Sequence, residues 1–191
     1  MLPRSSLLPE RGGEFKIGWD GGGPFGSINR QTAGQDAGGN TTMECVIFVG
    51  IQASGKSTFY AERFGRTHVR INLDMLRTRH REWRFVQTCL ETRQAFVVDN
   101  TNVSAAHRAR YIGPAKAAGF HVIGYLFRTG LDDSIRRNAS RTGKNCIPEG
   151  GIRAMHNLLE PPTMAEGFDQ LRTVSIGADG AFVVEEQHGE V

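Results

Sequence analysis

Short, continuous runs of apolar residues alternate along the chain with segments in which apolar residues recur every three or four positions. A continuous run bounded by glycine or polar residues is typical of a strand that is buried on both faces of a parallel sheet. Two short runs near the end, residues 174–176 and 182–184, flank an Asp-Gly pair, which favours a hairpin. Four earlier runs predict strands at residues 45–49, 68–72, 95–98 and 121–127.

Segments with helical spacing lie between these strands. Because strands alternate with helices, we expect an α/β domain with a doubly wound, mainly parallel sheet and helices on both faces. Ser104 is a suitable N-cap for the helix that ends before Gly119, and Pro148 is suited to the first turn of the last helix. The predicted helices cover residues 57–64, 74–93 with a break near Arg79, 104–118 and 132–138, with a last one from Pro148.

The first 42 residues follow neither pattern. They hold ten of the 24 glycines and balance four basic against four acidic residues. Such a segment gains too little from burial to offset its ordering entropy, so we expect a disordered extension at residues 1–42 and a domain at residues 43–191. Met43 stands just ahead of the first strand, which makes the extension a candidate for a segment that is not translated. The alternative is that its apolar residues pack on the domain: Phe15, Ile17, Trp19 and Phe25.

The cysteines and the hydropathy of the chain indicate the compartment in which we expect the protein. Cys45, Cys89 and Cys146 are widely spaced and have no histidine at metal-ligand spacing, so we expect reduced thiols and no structural metal. No stretch approaches the roughly 18 apolar residues that a membrane span needs. We therefore expect a cytoplasmic protein without a membrane partner.

Charge is distributed unevenly, although the formal net charge is only +3. Residues 63–84 carry seven arginines and two acidic residues, whereas the chain from Glu160 onwards carries seven acidic residues and one arginine. This asymmetry indicates an anionic ligand near the middle of the chain, with a solvated helix face as the alternative. Trp83 and Phe85 are the nearby aromatic residues that could stack on bases, and both are equally suited to the core.

The residues between the first strand and the first helix, GIQASGKS, form a complete G-x-x-x-x-G-K-S motif. In such a P-loop the backbone N–H groups surround a phosphate, and the following helix N-terminus adds positive potential. Lys56 would reach the β and γ phosphates of a bound nucleotide, and the Ser57 hydroxyl would take one position around Mg²⁺. The residues predicted to bind this nucleotide are Gly50, Ile51, Gln52, Ala53, Ser54, Gly55, Lys56, Ser57 and Thr58.

Two acidic residues follow later strands at the sheet edge where open α/β sheets bind ligands. Asp99 ends the third strand and is a candidate to hold Mg²⁺ directly or through water; a turn or capping role is the alternative. Asp74 precedes Arg77 by three positions, so both can face one cleft from the first turn of a helix. The carboxylate can accept the proton of an attacking hydroxyl, and the guanidinium can bind a substrate phosphate. The alternative is a helix-dipole Asp beside a surface Arg.

In their order along the chain, these motifs resemble the P-loop kinases typified by 5′-hydroxyl polynucleotide kinases, with kinase-type toxins of the zeta group as more distant relatives. The VVDNTN segment at residues 97–102 is similar to the third-strand signature of that family. Residues 137–148 are similar to its lid, with Met155 in the following helix, and residues 161–168 are similar to its closing segment. The resemblance spans residues 43–175 and implies a P-loop NTPase fold with a C-terminal lid.

The resemblance implies an ATP-dependent kinase that transfers a phosphoryl group to a hydroxyl, most commonly the 5′-hydroxyl of a nucleic acid or nucleotide. Arg141 lies in a polar loop that is suited to closing over ATP. Two alternatives stay open: a kinase of a small molecule or nucleotide-sugar, and an ATP-binding regulatory module without transfer. By resemblance, Lys56 and Ser57 lie at ATP and Mg²⁺, Asp74 is the general base, Arg77 binds substrate phosphate, and Arg141 is the lid arginine on the transferring phosphoryl group.

Overall fold

The apolar runs join in one sheet of six strands in the computed structural model, which describes residues 43–143 and 146–187. The strands are β1 (Glu44–Val49), β2 (Val69–Ile71), β3 (Phe96–Val98), β4 (His121–Phe127), β5 (Gln170–Ile176) and β6 (Phe182–Glu186). Their order is β2-β3-β1-β4-β5-β6, and only the pairing of β5 with β6 is antiparallel within this described part. The predicted doubly wound, mainly parallel sheet is confirmed.

Helices cover both faces of the sheet. Along β1, Cys45, Ile47 and Val49 face a core that includes Val86, whereas Val46 and Phe48 face a second core. The first core is closed by α3 and α4, and the second by α1, because both faces of a parallel sheet must be buried. The helices are α1 (Lys56–Arg63), α2 (Leu73–Leu76), α3 (Arg79–Glu91), α4 (Ala105–Ala117), α5 (Leu131–Ala139) and α6 (Glu149–Asn157).

The predicted break in the helix over residues 74–93 is a complete interruption. Arg77 adopts φ 71° at the end of α2, and the Thr78 side chain accepts a hydrogen bond from Arg81 N and caps α3. Two helices therefore replace one, and the second ends at Glu91. Residue 74 consequently belongs to a helix of only four residues, and residue 77 is the C-cap of that helix.

Several element ends differ from the prediction by a few residues. The β5 strand begins at Gln170 rather than residue 174, because its polar positions still pair with β4. Pro148 is the N-cap of α6 and lies just before its first turn. The predicted cap at Ser104 is confirmed, since its side chain accepts a hydrogen bond from His107 N.

The predictions for residues 1–42 fall outside the described residues, as does Lys144 in the lid segment. The described fold starts at Met43, which packs against the first core and accepts a hydrogen bond from His121 N. Among the helices of the described ranges, none has the length and hydropathy to cross a bilayer.

Candidate active site

The P-loop connects the end of β1 to the start of α1 and has a backbone that few side chains tolerate. Gly55 has φ 97° and Ala53 has φ 59°, both in the left-handed region. A Cβ on Gly55 would lie 3.1 Å from the Phe182 ring, which is closer than an ordinary van der Waals contact. The left-handed conformation therefore favours glycine at position 55, and the close approach of Phe182 adds to this preference.

Lys56 opens α1 and lies inside the loop. Its Nζ donates hydrogen bonds to Gly50 O at 2.9 Å, Ile51 O at 2.5 Å and Ser54 Oγ at 3.1 Å. Burial lowers the pKa of Lys56 to about 8, and the charges of Asp99, Arg141 and Asp74 also act on it. Hydrogen bonds to the P-loop thus fix the position of the lysine, and the charges of three other predicted site residues act on it.

Ser57, Asp99 and Arg70 form a closed triangle beside this lysine. Ser57 Oγ donates to Asp99 Oδ2 at 3.2 Å, and Arg70 Nη2 donates to Ser57 Oγ at 2.8 Å. Arg70 Nε also donates to the same carboxylate oxygen at 2.8 Å, and Arg70 forms a salt bridge with Asp99, which is only 2% exposed. The sequence did not predict this role for Arg70, because only the order of the strands places β2 next to β3.

The predicted pair of Asp74 and Arg77 lies after the carboxyl end of β2, and both side chains are exposed. Asp74 is in the first turn of the short helix α2, and Arg77 is the C-cap that follows this helix.

The lid segment, residues 137–148, begins within α5 and ends just before α6. The side chain of the buried Asn138 accepts a hydrogen bond from Ile147 N at 3.0 Å and donates one to Ile147 O at 2.7 Å, which closes the base of the segment. Arg137 Nη1 donates to Ala53 O in the P-loop at 3.4 Å. Arg141 is exposed and lies two residues after the end of α5, and its charge helps to lower the pKa of Lys56.

A cavity of about 790 Å³ lies beside the P-loop at Ile51. It is bounded by the end of β4, the residues that follow it, and the C-terminal part of α6. Its polar lining includes Arg128, Thr129 and His156. A volume of this size falls in the range of small-molecule sites.

The family comparison agrees with this loop geometry. A family model described as AAA domain (AAA_33) matches residues 45–162, which is more than half of the chain. The chain belongs to this family. Its matched region begins in β1 and includes the P-loop, Asp74, Asp99 and the lid segment, so every predicted site residue lies inside it.

The chain is also similar to a curated protein of the fission yeast Schizosaccharomyces pombe, the "Bifunctional polynucleotide phosphatase/kinase". The two are 24% identical over 136 residues, which cover 69% of this chain and 33% of that protein. This chain therefore spans about a third of the length of the curated relative that it matches.

Solved structures support the fold. Kti12 from Chaetomium thermophilum, solved in complex with ADP-AlF3, has a TM-score of 0.53 at 13% identity. The match covers 69% of this chain and 88% of the Kti12 chain. A structure from the PezAT chromosomal toxin–antitoxin system of Streptococcus pneumoniae has a TM-score of 0.51 at 14% identity. The match covers 78% of this chain and 74% of that chain. Together with the family match, these likenesses establish an α/β P-loop NTPase fold.

Proposed function

We propose that this protein is an ATP-dependent kinase that transfers the γ-phosphoryl group of ATP to a hydroxyl. The observation that carries the proposal is the geometry of the P-loop, in which Lys56 donates hydrogen bonds to Gly50 O and Ile51 O and the next residue, Ser57, donates one to Asp99 Oδ2. Phosphoryl transfer needs this arrangement, because catalysis rests on positioning and on positive charge around the moving group. The cavity beside Ile51 offers room for the nucleoside of ATP.

The oxygen atoms of Ser57 and Asp99 fit Mg²⁺, which prefers hard oxygen ligands and binds with substrate phosphates. Mg²⁺ held there with ATP would neutralise charge on the phosphate oxygens. Arg70 contributes to this site by holding both side chains in place.

In this proposal, Asp74 accepts the proton of the attacking hydroxyl. Its exposure suits that role, because an acceptor can reach it from solvent. Arg77 binds a phosphate of the acceptor, and Arg141 stabilises the transferring phosphoryl group when the lid segment closes over ATP. Arg137 assists by anchoring the lid segment on the P-loop.

We further propose that the acceptor is the 5′-hydroxyl of a nucleic acid or nucleotide. The name of the fission yeast relative supports this class of acceptor. The surface around α2 and α3 also supports it, since Trp83 is 37% exposed and Phe85 is 49% exposed. Exposed aromatic rings among arginines suit single-stranded nucleic acid, which binds through stacking and phosphate contacts.

A panel of acceptors with γ-labelled ATP tests both parts of the proposal: the transfer of the phosphoryl group and the class of acceptor. We expect label on a 5′-hydroxyl oligonucleotide and on a nucleoside 3′-phosphate, none on a UDP-sugar, and strongly reduced label with the Asp74→Asn variant. Label on the UDP-sugar alone would indicate a small-molecule kinase instead. ATP binding without transfer to any of the three would indicate a regulatory module.

We place this kinase in the cytoplasm. Its three cysteines are free thiols, with Cys45 and Cys89 buried and Cys146 exposed. Proteins of oxidising compartments commonly pair their cysteines, so free thiols favour a reducing one. Alkylation of the protein in freshly lysed cells should modify Cys146; a blocked or disulfide-linked Cys146 would argue against this location.

A further inference from the structure

One buried carboxylate lies outside the residues assigned above. Glu82 is on α3 and is 3% exposed. Its Oε1 accepts hydrogen bonds from Asn100 Nδ2 at 2.5 Å and Tyr111 OH at 2.9 Å, and its Oε2 accepts one from Arg79 Nη1 at 2.8 Å. A carboxylate buried this deeply is stabilised by such a complete set of donors.

Tyr111 donates its hydroxyl hydrogen to Glu82 in this cluster. Burial and the neighbouring charge of Glu82 raise its pKa to about 12. The phenol therefore keeps its proton at any pH at which the protein is assayed. Arg79 Nη1 also contacts Tyr111 OH at 3.1 Å, so Glu82, Tyr111 and Arg79 hold one another while Glu82 fixes the amide of Asn100.

Asn100 connects the cluster to α2. Its Oδ1 accepts the hydrogen bond of Leu73 N at 2.9 Å, and Leu73 is the first residue of α2. Since Glu82 takes the amide N–H of Asn100, it fixes which way this side chain points and leaves the oxygen for α2. Asp74 is the next residue along the helix.

A second set of hydrogen bonds that fixes α2 comes from its own N-cap, Asn72. Asn72 Oδ1 accepts from Met75 N at 3.1 Å, and Asn72 Nδ2 donates to Asp99 O at 2.5 Å. A helix of four residues cannot stabilise itself, because nucleation is unfavourable and few internal bonds form. The orientation of Asp74 and Arg77 therefore depends on these two asparagine side chains.

We propose that Glu82 is a positioning residue for Asp74, acting through Asn100 and the N-terminus of α2. This inference rests on the proposed role of Asp74 as the general base. Through its hydrogen bond to Asn100, which in turn accepts from Leu73 N, Glu82 sets the direction from which the Asp74 carboxylate meets the acceptor hydroxyl. A small displacement of a reacting group can cost about 10²-fold in rate, so a buried anchor of this kind affects turnover more than ATP binding.

The test is a double-mutant cycle between Glu82→Gln and Asp74→Asn, with Glu91→Gln on the exposed part of the same helix as the matched control. Glutamine has the same shape but cannot accept all three donors. We expect Glu82→Gln to lower kcat about tenfold or more, with ATP affinity nearly unchanged and Glu91→Gln close to wild type. In the Asp74→Asn background the Glu82 substitution should have little further effect, because both act on one step.

Two outcomes separate this inference from the proposed function. If Glu82→Gln lowers kcat by the same factor with and without Asp74, Glu82 acts independently and the inference fails, although the kinase assignment stands. If Asp74→Asn itself leaves turnover intact, the proposed general-base role of Asp74 fails, and the inference that rests on this role fails with it. Should Glu82→Gln not fold, Tyr111→Phe removes one donor and keeps the ring. The same cycle with Tyr111→Phe then decides, and additive effects would again overturn the inference.

Discussion

The two halves of the candidate site are built in different ways. On the side of the P-loop, Lys56 is buried and bonded to three oxygen atoms of its own loop. On the other side, Asp74, Arg77 and Arg141 are exposed and come from a four-residue helix, the C-cap of that helix and the lid segment. The first half is fixed by neighbouring backbone, whereas the second depends on distant packing. Substitutions on the second side should therefore change turnover without unfolding the protein.

The largest effect is expected for Arg141→Ala. An arginine supplied to a transferring phosphoryl group can contribute about 10³-fold or more in turnover. Arg141 is exposed, so the melting temperature should stay near that of the wild type. Arg141→Lys should restore little activity, because lysine lacks the planar fork of donors. Steady-state kinetics with thermal melts checks this, and an alanine variant that keeps most of its activity would refute the lid assignment.

Asp74→Asn should lower turnover by roughly 10²-fold or more, consistent with the loss of a general base. ATP affinity should change little, since Asp74 lies on α2 and outside the P-loop. Measurements of kcat and of ATP binding by calorimetry separate the two effects. Near-wild-type turnover would remove Asp74 from the mechanism.

Arg77→Ala should act on the acceptor and not on ATP. Its proposed partner is a phosphate of the acceptor, so KM should rise for acceptors with a 3′ phosphate far more than for acceptors without one. The exposed Arg81 on α3 supplies a matched control in Arg81→Ala. An equal rise for both acceptor types would indicate a structural or ATP-side role.

A smaller effect is expected on the P-loop side from pH. The pKa of Lys56 is lowered to about 8, so its ammonium is charged below that pH and loses its proton as the pH rises above it. ATP affinity should therefore fall as the pH passes through about 8. Near that pH, binding should take up a proton, because the phosphates favour the ammonium form. Calorimetry in buffers of different ionisation enthalpy measures the uptake, and its absence would contradict the assignment.

Removal of residues 1–42 should have the smallest effect of all. The glycine-rich segment has no apolar periodicity, so we expect it to gain too little from burial to stabilise the domain. A chain that starts at Met43 should keep its melting temperature and its kinase activity. A marked loss of either, or protection of N-terminal peptides from proteolysis in the full chain, would show that the segment packs on the domain.

The contrast between a site half fixed by neighbouring backbone and one that depends on distant packing also explains which features the sequence could predict. The P-loop was predictable because its residues are contiguous and their spacing sets the backbone. Arg70 and Glu82 were missed because strand order and helix packing bring them to Asp99 and Asn100, and no local pattern marks those contacts. Trp83 and Phe85 could not be placed either, since helical spacing alone suits both core and surface. The exposure of both rings required the packed structure.

The most direct test of the central claim compares two oligonucleotides that differ only at the 5′ end. One carries a 5′-hydroxyl and the other a 5′-phosphate, and each is incubated with γ-labelled ATP and the full-length protein. Phosphoryl transfer to the 5′-hydroxyl predicts label on the first oligonucleotide alone, at its terminal nucleotide after nuclease digestion, with one ADP formed for each label. Equal labelling of both, or ADP formation that does not depend on either, would contradict the account.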